Sequence, residues 1–236
     1  MTVFWRLLLA HFLADFVLHT DKIYDLKKST RFYGVLTHGA IYLFCLVICL
    51  LPYLKMDWFS LWGIYFNGFN AVTLLTLFHM LCDKIDKSDV MEVKGCNAFL
   101  FTAWQLIEIL ILFLVFPILP VYGGNFFGAD KLLIIVNGAL VVTYGFMVLI
   151  HLIARDFSKE AYPIFDERYI TMLSRLLLYL SILLPSYIGY LLAAAWIIFI
   201  FTPIRRKIIE DYPLRSLLSL ILTVSFSLLT KAVINL

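Results

Sequence analysis

The run YITMLSRLLLYLSILLPSYIGYLLAAAWIIFIFTPI, residues 169–204, carries one charge, Arg175, in 36 positions. As one α-helix it would extend about 54 Å at ~1.5 Å per residue. A bilayer's hydrocarbon core is only about 30 Å thick. Pro185, followed by Ser186, sits at the middle of the run. Proline removes a helical hydrogen bond and clashes with the preceding turn, so the run divides into two spans joined by a tight hairpin. Similar apolar stretches precede and follow it. The expected spans are 3–20, 33–54, 60–82, 97–119, 130–153, 168–184, 187–204 and 213–234. The whole chain agrees: 236 residues are 63% hydrophobic, 17% aromatic and 15% charged, with mean hydropathy +0.94. Soluble domains are roughly 45–50% apolar and about 25% charged. The composition therefore excludes a water-soluble globule, a disordered chain and a disulfide-stapled module. The fold expected is all-α: a polytopic helical membrane protein with about eight transmembrane helices. Residues 1–236 form one integral membrane domain, with 1–120 as a four-helix half bearing a site and 121–236 as a supporting four-helix half.

Basic residues alternate with these spans. Lys22, Lys27, Lys28 and Arg31 follow the first; Lys84, Lys87 and Lys94 the third. Arg155, Lys159 and Arg168 follow the fifth, and Arg205, Arg206, Lys207 and Arg215 the seventh. With eight spans, these 14 of the 19 Lys and Arg residues share one side, which the positive-inside rule makes cytoplasmic, with both termini outside. Trp5, Trp58 and Trp62 then fall at the outer interface, and Tyr122-Gly123-Gly124-Asn125 reads as an outer turn. No cleavable signal peptide is expected, because His11 and Asp15 interrupt the first apolar stretch. Cys45, Cys49, Cys82 and Cys96 contain no Cys-x-x-Cys pair and read as small hydrophobes. A formal charge of +3 gives no reason to expect nucleic acid.

His11-Phe12-Leu13-Ala14-Asp15 is echoed by His79-Met80-Leu81-Cys82-Asp83. Both read His-x-Leu-x-Asp, and both close a span running inward. The echo suggests two parallel, pseudo-repeated N-terminal helical hairpins, as in transporters.

Ionisable side chains in a bilayer need a partner or a function. His11 and Asp15 lie four apart on one helical face, as do His79 and Asp83. His38 lies early in the second span. Gln105 and Glu108 are three apart in the fourth. By the topology above, all seven sit in the cytoplasmic half of the membrane, so four helices can converge on one polar pocket. Helix bundles build metal sites in this way. The candidate metal ligands are His11, Asp15, His38, His79, Asp83 and Glu108. Imidazoles with carboxylates suit Zn²⁺, or Fe²⁺ or Mn²⁺ where more oxygens bind. The alternative is a metal-free polar network that carries ions. Arg175 and Gln105 are candidate substrate contacts, Arg175 through an anionic headgroup or phosphate. Its plainer role is to pair with an acid or snorkel. His19 and Asp21 read as solvated loop residues, and His151 as an interfacial one.

At these residues the chain resembles a family of bacterial integral membrane proteins, domain of unknown function 3307. The opening His11 to Asp15-Phe16, then His19-Thr20-Asp21, is similar to the family's His-x-x-x-Asp-Phe helix and polar turn. His38 matches a histidine early in the second helix. His79-Met80-Leu81-Cys82-Asp83 resembles the motif ending the third. Trp104-Gln105-Leu106-Ile107-Glu108 stands where members tend to have Asp-Gln-x-x-His, so Gln105 is retained and Glu108 replaces a histidine. Glu167-Arg168 and Glu210-Asp211-Tyr212 resemble later landmarks, while Trp196 stands near a usual lysine. The resemblance implies a membrane location and a polar intramembrane site, but no activity.

The expected function is a metal-dependent membrane hydrolase acting on a lipid-linked or amphipathic substrate from the cytoplasmic leaflet of the inner membrane. Asp15, Asp83 or Glu108, whichever is left off the metal, is the candidate general base. The alternative is a non-enzyme: a transporter, channel or membrane effector using the cluster as an ion site. Membrane lipid is the expected partner, with a second copy or a cytoplasmic protein as further candidates.

Overall fold

The computed structural model describes residues 2–61, 63–86, 96–116, 126–158, 165–200 and 213–235. They are mostly helical. Helix α1 (Thr2–Phe12) runs into a π-helical turn, Leu13–Val17, and then come α2 (Asp21–Ser29) and α3 (Arg31–Leu50). Strands β1 (Asp57–Leu61) and β2 (Ile64–Asn67) precede α4 (Gly68–Asp86) and α5 (Asn97–Val115). Helix α6 (Phe126–Leu140) continues through a second π-helical turn, Val141–Gly145, into α7 (Phe146–Ser158). Helices α8 (Phe165–Leu183), α9 (Tyr187–Ile200) and α10 (Pro213–Asn235) complete the order. Among the described residues, four helical stretches are long and apolar enough to cross a membrane: Phe32–Tyr53, Asn97–Val115, Asp130–Phe157 and Leu214–Asn235.

The chain divides into two compact units, one of Met1–Val93 with Phe99–Leu133, the other of Lys94–Ala98 with Ile134–Leu236. In the first, α3 packs against α1, α2 and α4. Two glycines on α3 permit these approaches. A Cβ on Gly34 would overlap the backbone of Lys27, and one on Gly39 would sit 2.5 Å from Cγ and Sδ of Met80. The stretch after the first span, expected as a polar loop, is helix α2. Ile23 and Lys27, one turn apart, are its buried residues among those whose side chains are described.

The third expected span, 60–82, begins too early. Helix α4 starts at Gly68, and residues 57–67 form an antiparallel hairpin pairing Asp57 with Asn67 and Leu61 with Ile64. An apolar run does not by itself distinguish helix from strand. Here aromatic residues, which favour strands, flank Gly63, whose φ of +82° turns the chain. Phe59 and Phe66 stack across the hairpin at 4.9 Å. Asn67 Oδ1 accepts the Asn70 N–H at 3.0 Å and caps α4. Trp58, expected at the outer interface, packs inside the protein. It is buried and donates to Tyr53 O at 3.0 Å.

In the second unit the expected break at Pro185 is present: α8 ends at Leu183 and α9 begins at Tyr187. Lys231 on α10 closes the exposed end of α8, donating to Ile182 O at 2.7 Å and Leu184 O at 3.0 Å. Val142, Phe146, Ile150 and Tyr179 form one core cluster, covered by Leu218, Leu222 and Phe226, and Leu178, Ile182 and Ala193 form another. Tyr179 donates to Ile135 O at 3.0 Å, over Gly138, where a Cβ would strike its hydroxyl. The expected basic residues Lys87, Lys94, Lys159, Arg205, Arg206 and Lys207, the turn Tyr122–Asn125, Trp62 and the Glu210-Asp211-Tyr212 landmark lie outside the described residues.

Candidate metal centre

The first unit brings His11, Asp15, His38, His79, Asp83, Gln105 and Glu108 together. Their side chains come from α1 and its π-helical turn, α3, α4 and α5. His11, His38 and His79 are buried. Asp15 and Glu108 are each 11% exposed and Asp83 10%.

Asp15 is the hub. Its Oδ1 lies 3.2 Å from His79 Nε2 and 3.5 Å from His38 Nε2. Its Oδ2 lies 3.8 Å from His11 Nδ1 and accepts the Gln105 amide at 3.4 Å. Glu108 faces the same space, with Oε2 3.5 Å from His11 Nε2 and Oε1 3.3 Å from His79 Nδ1. Gln105 Oε1 lies 3.3 Å from His11 Nε2. Tyr42 stacks on His79 with ring centroids 4.0 Å apart and planes 6° from parallel, which fixes the imidazole's orientation.

The two His-x-Leu-x-Asp motifs share a spacing but not a local helix. His79 and Asp83 sit in regular α-helix, whereas Asp15 lies in the π-helical turn, where Leu18 N–H bonds back to Leu13 O at 2.9 Å. An α-helix advances about 100° per residue; a π turn advances less, so the fourth residue leaves at a different angle. Such turns often mark functional sites. The two aspartates accordingly differ in partners. Asp83 Oδ2 lies 3.1 Å from His38 Nδ1, and its Oδ1 accepts the Lys27 ammonium at 2.7 Å.

Lys27 is the residue that the sequence reading placed elsewhere. Counted there as a basic residue of a cytoplasmic loop, it is 2% exposed, with Nζ 2.7 Å from His38 Nδ1 as well as from Asp83. The available signal was its spacing of four from Ile23, the pattern of a helical face. His19 is also no solvated loop residue. It is partly buried, and its ring centroid lies 4.6 Å from that of His38. The side chain of Asp21 lies outside the described residues.

Arg175 is placed in the second unit. It is buried there, donating from Nε to Ser219 Oγ at 2.8 Å and from Nη1 to Thr143 O at 3.3 Å. Thr143 lies in the π-helical turn after α6.

Four of the cluster residues could hold an ion. One donor atom from each of His11, Asp15, His79 and Glu108 lies within 4.8 Å of all the others. Four donors around a tetrahedral ion at about 2.0–2.2 Å lie about 3.3–3.6 Å apart, so an ion would draw the most widely separated of these atoms together by up to about 1 Å. The hydrogen bonding is consistent with such an occupant. His11 Nδ1, Asp15 Oδ1, both nitrogens of His79, His38 Nε2 and Glu108 Oε2 are buried without a hydrogen-bond partner among the described residues. Their contacts fall within ion-pair distance but are not aligned as hydrogen bonds.

The family model described as "protein of unknown function (DUF3307)" matches residues 3–127. No curated protein and no solved structure matches the chain. The matched stretch takes in every residue of the cluster, Lys27 and His19 included, and ends before Arg175 and the later landmarks. A match over more than half of the chain shows that the protein belongs to the DUF3307 family.

Proposed function

We propose that this protein is a divalent-metal-binding integral membrane protein, and that the ion serves hydrolysis of a lipid-linked or amphipathic substrate at the cytoplasmic leaflet of the bacterial inner membrane. The observation that carries the metal reading is the group of buried, hydrogen-bond-less donors on His11, Asp15, His79 and Glu108. Two imidazoles and two carboxylates suit Zn²⁺, with Mn²⁺ or Fe²⁺ favoured as oxygens are added. A bound divalent ion lowers the pKa of a water and polarises a carbonyl or phosphoryl oxygen. Tyr42 and Gln105 hold His79, His11 and Asp15 in register, and a carboxylate left off the ion, Asp15, Asp83 or Glu108, would serve as general base. The apolar outer surface of α5 supports an amphipathic substrate, because Phe99, Leu106, Leu110 and Leu114 are exposed on the helix that presents Gln105 and Glu108. Eight spans with both termini outside are part of the same proposal.

A second reading rests on a different observation. The rings of His11, His79, His38 and His19 follow one another at 5.9, 5.1 and 4.6 Å, a polar line that supports an ion path. Elemental analysis of protein purified in mild detergent tests the first reading. About one Zn, Mn or Fe per chain, lost from His11→Ala/His79→Ala, is expected. Absence of any stoichiometric metal, together with ion flux into protein-loaded vesicles, would replace it with the second.

A further inference from the structure

Resting on the metal reading, we infer that the ammonium of Lys27 is a built-in cation standing where a second metal ion would otherwise bind, so that the centre takes one divalent ion and not two. The two His-x-Leu-x-Asp motifs, with His38 between them, supply donors enough for two cations. His11, Asp15, His79 and Glu108 make one cradle. His38 Nδ1 and Asp83 make the other, and Lys27 Nζ sits in it, 2.7 Å from the imidazole nitrogen and 2.7 Å from the carboxylate oxygen. An imidazole nitrogen and a carboxylate oxygen are also metal-ligand types, and with Lys27 removed water would complete the shell of an ion held by these two residues. Helix packing fixes the lysine there, since Gly34 on α3 lies against the Lys27 backbone with no room for a Cβ.

The charges give a consistent account. Among the cluster side chains themselves, Asp15, Asp83 and Glu108 bring three negative charges and Lys27 one positive, with imidazoles neutral when they ligate. The site is then left with −2, which one divalent ion neutralises. Lys27 thus sets both the charge and the number of ions.

The test is a charge cycle on the full chain in detergent, with Zn²⁺ and Mn²⁺ as probes. Metal content is read after loading and gel filtration, and affinity by competition with a chelator. Wild type, at −2, is expected to bind one ion. Lys27→Ala, at −3 and with the second cradle open, is expected to bind two ions, the first at least roughly tenfold more tightly. Asp83→Asn, at −1, should bind its single ion at least roughly tenfold more weakly than wild type. Lys27→Ala/Asp83→Asn returns to −2 and should bind one ion with wild-type affinity, and its neutral second cradle lets it fold should Lys27→Ala aggregate. One ion on both wild type and Lys27→Ala, or an affinity order that does not follow the charge, overturns this inference and leaves the metal reading standing. No ion on wild type overturns both.

Discussion

His79 is held on three sides. It faces Asp15 through one nitrogen and Glu108 through the other, and Tyr42 covers its ring. A ligand that binds only the folded chain stabilises it by mass action, by about 2.7 kcal/mol at a hundredfold excess over Kd. Chelator is therefore expected to lower the wild-type melting temperature in detergent by about 5–10 °C. His79→Ala should start lower and respond to chelator by less than about 2 °C. Lys131→Ala, on an exposed position of α6, should behave as wild type. Equal chelator responses in wild type and His79→Ala would sever the link between the site and stability. The ligand candidates were legible from sequence because a histidine or carboxylate in an apolar helix is conspicuous. Lys27 was not, because a lysine among Lys22, Lys28 and Arg31 looks like one more solvated charge. Its spacing of four from Ile23 was a faint signal, and tertiary packing against Gly34 and Asp83 is what distinguishes it from its neighbours. Arg175 was conspicuous for the same reason as the ligands, yet two of the groups it donates to, Ser219 Oγ and Thr143 O, are neutral ones that no spacing announces.

At the scale of elements, the distance between α3 and α4 decides whether His38 meets His79. Gly39, next to His38, sets it, because Met80 Cγ and Sδ fill the space where a side chain would go. Overpacking a core typically costs about 1–3 kcal/mol. Gly39→Leu is expected to destabilise by roughly that amount and to weaken metal binding, and Met80→Ala should recover most of both. Recovery of stability without recovery of metal would show that the helix spacing does not govern the site. At the other end of α8, Lys231 satisfies carbonyls that a terminating helix leaves unpaired. Lys231→Met should cost about 1 kcal/mol, read as a fall of about 2–4 °C in the melting temperature. The helix break was readable because proline imposes it locally. The hairpin at 57–67 was not, because Trp58, Phe59, Ile64, Tyr65 and Phe66 satisfy either period. The π-helical turns were not, since nothing in LADFV or VVTYG forbids an ordinary helix.

For the whole molecule, span parity is the property that most needs a solution measurement. Ser186→Cys in a chain otherwise without cysteine is expected to react with an impermeant maleimide added outside intact spheroplasts. Labelling only after lysis would reject the proposed hairpin orientation. The family match and the cluster coincide in residues 3–127, which fits a site carried by the N-terminal part of the chain. The exposure of α5 has a further consequence. Leu112 is its one buried residue among those described, while Phe99, Leu106, Leu110, Phe113 and Leu114 all face outward. In a bilayer, acyl chains complete the packing that the protein leaves undone, so the helix bearing Gln105 and Glu108 is seated partly by lateral pressure. A mismatch in hydrocarbon thickness tilts or shifts such a helix at small cost. Moving the protein from bilayers of 14-carbon acyl chains to those of 20-carbon chains should therefore change its metal affinity severalfold at constant ionic composition, making the centre responsive to the mechanics of the surrounding membrane.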